Sequence, residues 1–295
     1  MNAPKIVTDT TTQRWSRRRF MGGAVSLAAL GSFATACSGV DRSVSPALGY
    51  SPRSATSTAP ATSSVDAELI SHRYEGLKPF ASAPPPPAVK PITLSASDPT
   101  VFSSVPITDK VVFITIDDGL VKDPGFIQMV KDFRIPVTID LANLFISDDY
   151  AYFAKLYDTG YVSIQNHTVT HPLNMPALSA AQQLDEISGQ QEILHREYGV
   201  TPYIFRSPGG NYDETTITSA GQAGLKGVMM WKEAMEISDM QYQTSAHRLQ
   251  PGDIILAHFR GPAQLDGETM VRMMVRLFRH IQDQGFTVAD ITKYV

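Results

Sequence analysis

Two adjacent carboxylates, Asp117 and Asp118, end the apolar run Val111–Ile116 and are followed by Gly119; two histidines, His167 and His171, stand four apart further on. One aspartate and two histidines match the three ligands with which a catalytic site holds a zinc-type ion while leaving a position open for water. That leaves one carboxylate as a base. Neighbouring side chains on a strand point to opposite faces, and only a strand end relaxed by glycine lets both aspartates approach one cavity. The spacing does not say which of the two binds and which accepts the proton, and Asp-Asp-Gly also reads as a plain capped turn. Arg206-Ser207-Pro208-Gly209-Gly210 follows the apolar run Tyr203–Phe205 and has the makings of a rigid loop with an exposed backbone donor for an oxyanion. Arg206 there is suited to keep a carboxylate ionised, or simply to form a surface ion pair beside a turn. His258 ends the apolar run Ile254–Ala257. We read it as the proton donor for a leaving amine or alkoxide, although a lone histidine at a strand end also serves as a structural residue.

These residues need elements to bring them together. From Asp109 on, β-rich runs at 111–116, 137–141, 161–166, 203–206, 227–231, 253–258 and 286–289 alternate with helical patterns at 124–133, 148–158, 179–198, 214–223 and 268–284. Such alternation predicts βα units around a parallel sheet. Ser179 and Gln182 stand in capping-box spacing, and Gly199 is a natural helix stop. About seven parallel strands with helices between them predict a distorted (β/α) barrel, in which active residues collect at the C-terminal strand ends. Asp117, Asp118, His167, Arg206, Trp231 and His258 all fall at such ends.

The chain has 295 residues and a formal net charge of -4, which offers no basic footprint for nucleic acid, so no nucleic-acid partner is expected. Residues 1–37 read as an export signal: Ser16-Arg17-Arg18-Arg19-Phe20 precedes an apolar stretch too short to span a bilayer, and the paired arginines suggest the twin-arginine route. The stretch ends at Cys37, the sole cysteine, so no intramolecular disulfide forms. Ala34-Thr35-Ala36-Cys37 resembles a bacterial lipoprotein processing box with Ala34 where Leu is usual. Cys37 is therefore expected to be lipidated, an ordinary small-residue cleavage site being the other reading. Residues 38–106, rich in Ser, Thr, Ala and Pro with four prolines at 84–87, read as a disordered tether, of which Val65–Phe80 is apolar enough to dock on the domain. The catalytic domain is then 107–295. The expected location is the bacterial envelope, on the outer side of the cytoplasmic membrane, with membrane contact only through the signal or a lipid.

From Lys110 to Val295 the motif set resembles the polysaccharide deacetylases, carbohydrate esterase family four. Thr115-Ile116-Asp117-Asp118-Gly119 matches the first motif with Ile for Phe, His167-Thr168-Val169-Thr170-His171 the second, Arg206-Ser207-Pro208 the third, and Leu256-Ala257-His258 the fifth. The resemblance implies that Asp117 is the base, that Asp118, His167 and His171 bind a divalent metal such as zinc or cobalt, that Arg206 orients Asp117, and that His258 is the acid. It also implies a polysaccharide substrate, with Pro208 and Trp231 beside it and the Gly209 N–H as oxyanion donor. Gly209 stands where an aromatic residue is usual. The Trp-bearing motif, Met230-Trp231-Lys232-Glu233, lacks the usual Asp that tunes the acid, for which Glu233, Glu236 and Asp239 are the candidates. Asp140 replaces an apolar or aromatic residue expected on the second strand, and either enters the cleft or faces solvent. Removal of acetyl groups from N-acetylated sugars is the expected activity, with peptidoglycan nearest at hand. An O-acetyl ester or a small cyclic amide as substrate, and a tethered glycan-binding protein without turnover, are the alternatives.

Overall fold

Seven successive residues from Val111 to Asp117 are buried, a pattern a strand sustains only where helices cover one face and packed side chains fill the other. In the computed structural model, which describes residues 64–295, this run lies at the heart of a mostly parallel sheet. Its ten strands among the described residues are β1 (Thr100–Phe102), β2 (Val111–Asp118), β3 (Val137–Leu141), β4 (Val162–Asn166), β5 (Ile204–Phe205), β6 (Gly227–Met229), β7 (Glu233–Met235), β8 (Met240–Tyr242), β9 (Ile254–His258) and β10 (Thr287–Val288). The helices are α1 (Ser64–Arg73), α2 (Pro124–Phe133), α3 (Asn143–Ile146), α4 (Tyr150–Tyr157), α5 (Ala180–Tyr198), α6 (Glu214–Gln222) and α7 (Met270–Asp283).

The lateral order is β1-β6-β5-β4-β3-β2-β9-β7-β8, and β10 pairs with the first half of β2 while β9 pairs with the second. All pairings are parallel except that of β7 with β8. This is the distorted (β/α) barrel that the alternation predicts. It does not close as a ladder: residues 230–232 cross from β6 to β7, with Lys232 N–H donating to Ile254 O at 2.9 Å, and a single antiparallel bridge joins Ser104 to Asp253.

Local chemistry sets the helix ends. Ser179 and Gln182 form a reciprocal capping box and Gly199 ends α5 in the left-handed region at φ 66°. Asp123 Oδ1 accepts the Gly125 N–H at the start of α2, with Pro124 in the first turn. Helix α7 buries Met270, Met273, Met274, Leu277, Phe278 and Ile281, the stripe of a helix lying along a core. Among the described residues, no helix is long and apolar enough to cross a membrane.

The disordered tether expected over 38–106 is corrected from α1 onward, where the docking expected of Val65–Phe80 is found and the packing continues beyond it. From α1 onward the chain is packed: Ile70, Tyr74 and Leu77 are buried, Tyr74 lies 5.1 Å from the Phe133 ring, and Phe80 sits 5.4 Å from Phe278. Strand β1 joins the sheet beside β6, and Val105 N–H donates to Gly252 O at 2.8 Å. The few apolar residues of this stretch are far apart in sequence and find partners on α2, α7 and β6, which a local composition window does not register. Strands β1, β7 and β8 and helix α3, also unexpected, are at most four residues long, too short for periodicity to show. The export signal, Cys37 and residues 38–63 lie outside the described residues.

At the N-terminal side of β7 and β9, Glu233 and Asp253 are buried. Burial first, then the neighbouring carboxylate of Asp253, push Glu233 up to about 9. The native protein therefore holds a proton that the unfolded chain releases from about pH 4.5 upward, so the stabilisation is fully present below that pH and is lost by about pH 9. Unfolding by urea at pH 5 and pH 9 is expected to show a loss on the order of 1 kcal/mol or more at the higher pH, and Glu233→Gln is expected to reduce that difference. An unchanged pH slope in the variant would rule this origin out.

Candidate active site

Strands β2, β3, β4, β5 and β9 deliver their C-terminal ends to one rim, and the cross-strand register places Asp117 opposite Asp140 on one side and His258 on the other. Asp118, one residue on, adopts φ 79° and Gly119 φ 96°. A β-carbon at Gly119 would stand 2.4 Å from the Ile146 side chain, so glycine is required where the chain turns off the strand and brings both carboxylates to one cavity.

Asp118 Oδ1 lies 3.1 Å from His171 Nε2 and 3.5 Å from His167 Nε2. These three donor atoms lie within 4.8 Å of one another. His167 Nδ1 is 2.8 Å from the Arg206 carbonyl, which only accepts, so Nδ1 carries the hydrogen and Nε2 presents its lone pair. Asp118 Oδ1 is buried without a conventional hydrogen-bond partner among the described residues. A carboxylate oxygen and two imidazole nitrogens converging in this way fit a divalent ion of the zinc class.

The electrostatics agree. Burial disfavours the charged form of Asp118, but His167, His171 and His258 outweigh it and hold the carboxyl well below the usual range. Burial likewise opposes protonation of His167, and Asp117, Asp118 and Asp140 overcome it to raise its pKa to about 9. The pocket thus carries excess negative charge that a cation would balance.

Asp117 is 3% exposed and faces two ways. Its Oδ1 accepts from Arg206 Nη1 at 2.7 Å, and its Oδ2 lies 3.7 Å from His167 Nε2. Arg206 is fully buried; Nη1 also donates to Thr115 Oγ1 at 2.7 Å, Nε to Met229 O at 3.1 Å and Nη2 to Met230 O at 3.4 Å. The Thr115 hydroxyl donates onward to Ile255 O, tying β2 to β9. The surface ion pair considered for Arg206 is thereby excluded. The ring of Trp231 lies 5.7 Å from the guanidinium carbon.

After Arg206, Pro208 is buried and opens a short 3-10 turn in which Gly209 and Gly210 have φ 62° and 68°. The Gly210 N–H donates to Ser207 O and the Asn211 N–H to Pro208 O. A β-carbon on Gly210 would come within 2.8 Å of the Trp231 ring, so the indole occupies the space this glycine leaves.

His258 reaches the same rim, with Nδ1 buried and no hydrogen-bond partner among the described residues. Burial lowers its pKa against the opposing pull of Asp118. None of the carboxylates considered for tuning it hydrogen-bonds to Nδ1. Glu233 is buried with Asp253, Glu236 pairs with Arg260 at 3.0 Å, and Asp239 is exposed, accepting from Gln241 at 3.3 Å. Glu236 acts on His258 only through charge. Asp140 neither faces solvent nor lines an open cleft: it is fully buried, 3.3 Å from Arg206 Nη1. Burial is the main effect that raises its pKa to about 7, against Arg206 and with Asp117 adding to it.

Sequence pattern alone does not mark Asn166 and Glu186, which shape the histidine loop. Asn166 Oδ1 accepts the Thr168 N–H at 3.0 Å, and Glu186 Oε2 accepts those of Val169 and Thr170 at 3.0 and 2.8 Å. The available signal is a polar row, Gln183, Glu186 and Gln190, on the inner side of α5, with Gln183 and Gln190 buried.

A family model described as polysaccharide deacetylase matches residues 104–228. An uncharacterized protein of Streptomyces coelicolor is 34% identical over 198 residues, 67% of this chain and 78% of the relative. A chitooligosaccharide deacetylase of Sinorhizobium fredii is 24% identical over 200 residues, 61% of this chain and 89% of the relative. Among solved structures, an activity-restored mutant of a carbohydrate esterase family four pseudoenzyme of Bacillus anthracis superposes with a TM-score of 0.55 at 20% identity, covering 66% of this chain and 71% of its own.

Glu186→Ala is expected to weaken zinc binding about tenfold with all three ligands intact, because the loop carrying His171 loses its clamp. Competition titration against a chelator measures this. Affinity equal to the parent would show that the loop holds its shape without Glu186.

Proposed function

This chain belongs to the polysaccharide deacetylase family, and on that premise we propose that it is a metal-dependent hydrolase removing acetyl groups from N-acetylated sugars of a cell-wall or extracellular glycan, peptidoglycan or chitin-like. The observation that carries this reading is the two-sided Asp117 carboxylate, with Oδ1 fixed by Arg206 and Oδ2 turned toward the His167 ring.

Asp118, His167 and His171 would hold the ion, zinc by the chemistry of the donors and cobalt as a substitute. When bound, the ion supplies a Lewis acid that polarises the acyl carbonyl and makes water acidic near neutral pH. Asp117 Oδ2 takes the proton from the attacking water, and Arg206 holds the carboxylate fixed while it does so. The Gly209 N–H, in a turn whose next two amides are engaged within it, is the backbone donor offered to the developing oxyanion. His258 Nε2 gives a proton to the departing sugar amine, and acetate leaves. Trp231 and Pro208 shape the wall beside the sugar.

One observation favours a second reading, a glycan-binding protein without turnover. Among the described residues, the His258 Nδ1 lacks the carboxylate partner that would stabilise its protonated form. We further read residues 1–37 as an export signal with Cys37 lipidated, which would hold the domain on the outer side of the cytoplasmic membrane; palmitate labelling of the parent and of Cys37→Ala tests this.

The direct assay is acetate release by the zinc- or cobalt-loaded protein from N-acetylglucosamine oligomers, peptidoglycan and acetylated xylan. Release from the first two is expected, with Asp117→Asn slower by 100-fold or more. Release confined to xylan would reassign the substrate to an O-acetyl ester, and saturable glycan binding without release, metal present, would establish the binding-only reading.

A further inference from the structure

Asp140 is the one member of this charged cluster that the reaction just described leaves without a task. It is fully buried on β3, and neither of its carboxyl oxygens has a hydrogen-bond partner among the described residues. Burying a carboxyl unpaired is costly, so its position needs a reason. Its nearest charged group is Arg206 Nη1, at 3.3 Å from Oδ2, and this is the nitrogen that donates to Asp117 Oδ1 at 2.7 Å.

Nη1 has two hydrogens, and Thr115 Oγ1 and Asp117 Oδ1 take both. These acceptors lie on β2, and the carbonyls of Met229 and Met230 hold the rest of the guanidinium from the β6 end. On the β3 side the guanidinium meets Asp140, the cross-strand neighbour of Asp117. An apolar residue there would leave that flank of a fully buried cation without attraction. We propose that Asp140 is a positioning residue that holds the Arg206 guanidinium from the β3 side, so that Nη1 stays on Asp117 Oδ1 and Oδ2 stays turned to the reacting water. This rests on Asp117 being the base of the reaction proposed above.

The charge count supports a local role. With three carboxyl groups around the Arg206 guanidinium and Asp140 the fully buried one, a third full negative charge is disfavoured, consistent with the upward shift that burial gives Asp140. A neutral carboxyl still turns a partly negative oxygen to the guanidinium flank without taking an Nη1 hydrogen, and asparagine offers the same oxygen together with an N–H in place of the acid hydrogen.

The test compares Asp140→Ala and Asp140→Asn in the intact, zinc-loaded protein. Asp140→Ala is expected to lower kcat at least tenfold with KM within twofold and no fall in thermal midpoint, and Asp140→Asn to recover most of the loss. An unchanged kcat in Asp140→Ala, or an equal loss in both variants, overturns the proposal. Independently of turnover, the Arg206 Nε–Hε NMR signal, assigned by its disappearance in Arg206→Lys, is expected to be sharp in the parent and in Asp140→Asn and broadened or shifted in Asp140→Ala. An identical signal in all three overturns the positioning role even if kcat falls. Absence of acetate release from every substrate would instead count against the deacetylase reading, and the NMR comparison would still decide this one.

Discussion

A single fully buried guanidinium organises this molecule. Arg206 leaves the end of β5, reaches Thr115 and Asp117 on β2, and takes the carbonyls of Met229 and Met230 past β6, while its own carbonyl receives the His167 ring. One residue thus connects the proposed base, a histidine of the candidate metal site and three parts of the sheet. Removing a buried cation from water costs several kcal/mol, and the cost is met only when nearly every donor is satisfied. The barrel interior is built around that requirement. The Thr115 hydroxyl relays it to β9, and Trp231 covers the guanidinium where Gly210 leaves room.

The charge pattern follows from the same constraint. Asp117, Asp118 and Asp140 crowd a volume with one permanent positive charge, and the structure answers in three ways. Asp118 stays ionised because imidazoles face it, Asp140 tends to neutrality because burial outweighs the pull of Arg206, and His167 draws a proton to the nitrogen aimed at Asp118. A proton on His167 Nε2 and a cation at the same lone pair are alternatives. The negative excess that produces the first is the affinity that favours the second.

How much of this was legible in the sequence depended on the range of the interaction that fixes each feature. The helix over 124–133 and the capping box of Ser179 with Gln182 are local, and the sequence places them correctly. The residues at the strand ends were legible because parallel βα units send them to one rim. Arg206 carried a motif, yet its fourfold anchoring by Thr115, Asp117, Met229 and Met230 joins positions up to 91 residues apart and leaves no periodic trace. The packing of residues 81–106 escaped for the same reason. Tyr74 and Phe80 belong to the one segment expected to dock, but Val105 looks like an isolated apolar residue in a polar tether until the β9 approach is folded beneath it. Asp140 was visible as an oddity on an apolar strand, but register alone did not say that its neighbour across the ladder would be Asp117.

The rim also stores backbone strain, which explains why so much of the surrounding structure is devoted to rigidity. Asp118, Thr168 and His171 all adopt positive φ, at 79°, 72° and 55°, without being glycine. Each such residue costs about 1–3 kcal/mol and persists only where its neighbours over-determine it. Here they do: the Ala142 N–H holds Asp118 O, Asn166 and Glu186 hold the amides around Thr168, and the Thr168 hydroxyl accepts the His171 N–H. A loop free to relax would swing His171 away from Asp118 and open the three-ligand set. Because the strain is borne by two strand ends and by a helix anchored with a capping box, the donors are arranged before any ion or glycan arrives, and little ordering remains to be done on binding.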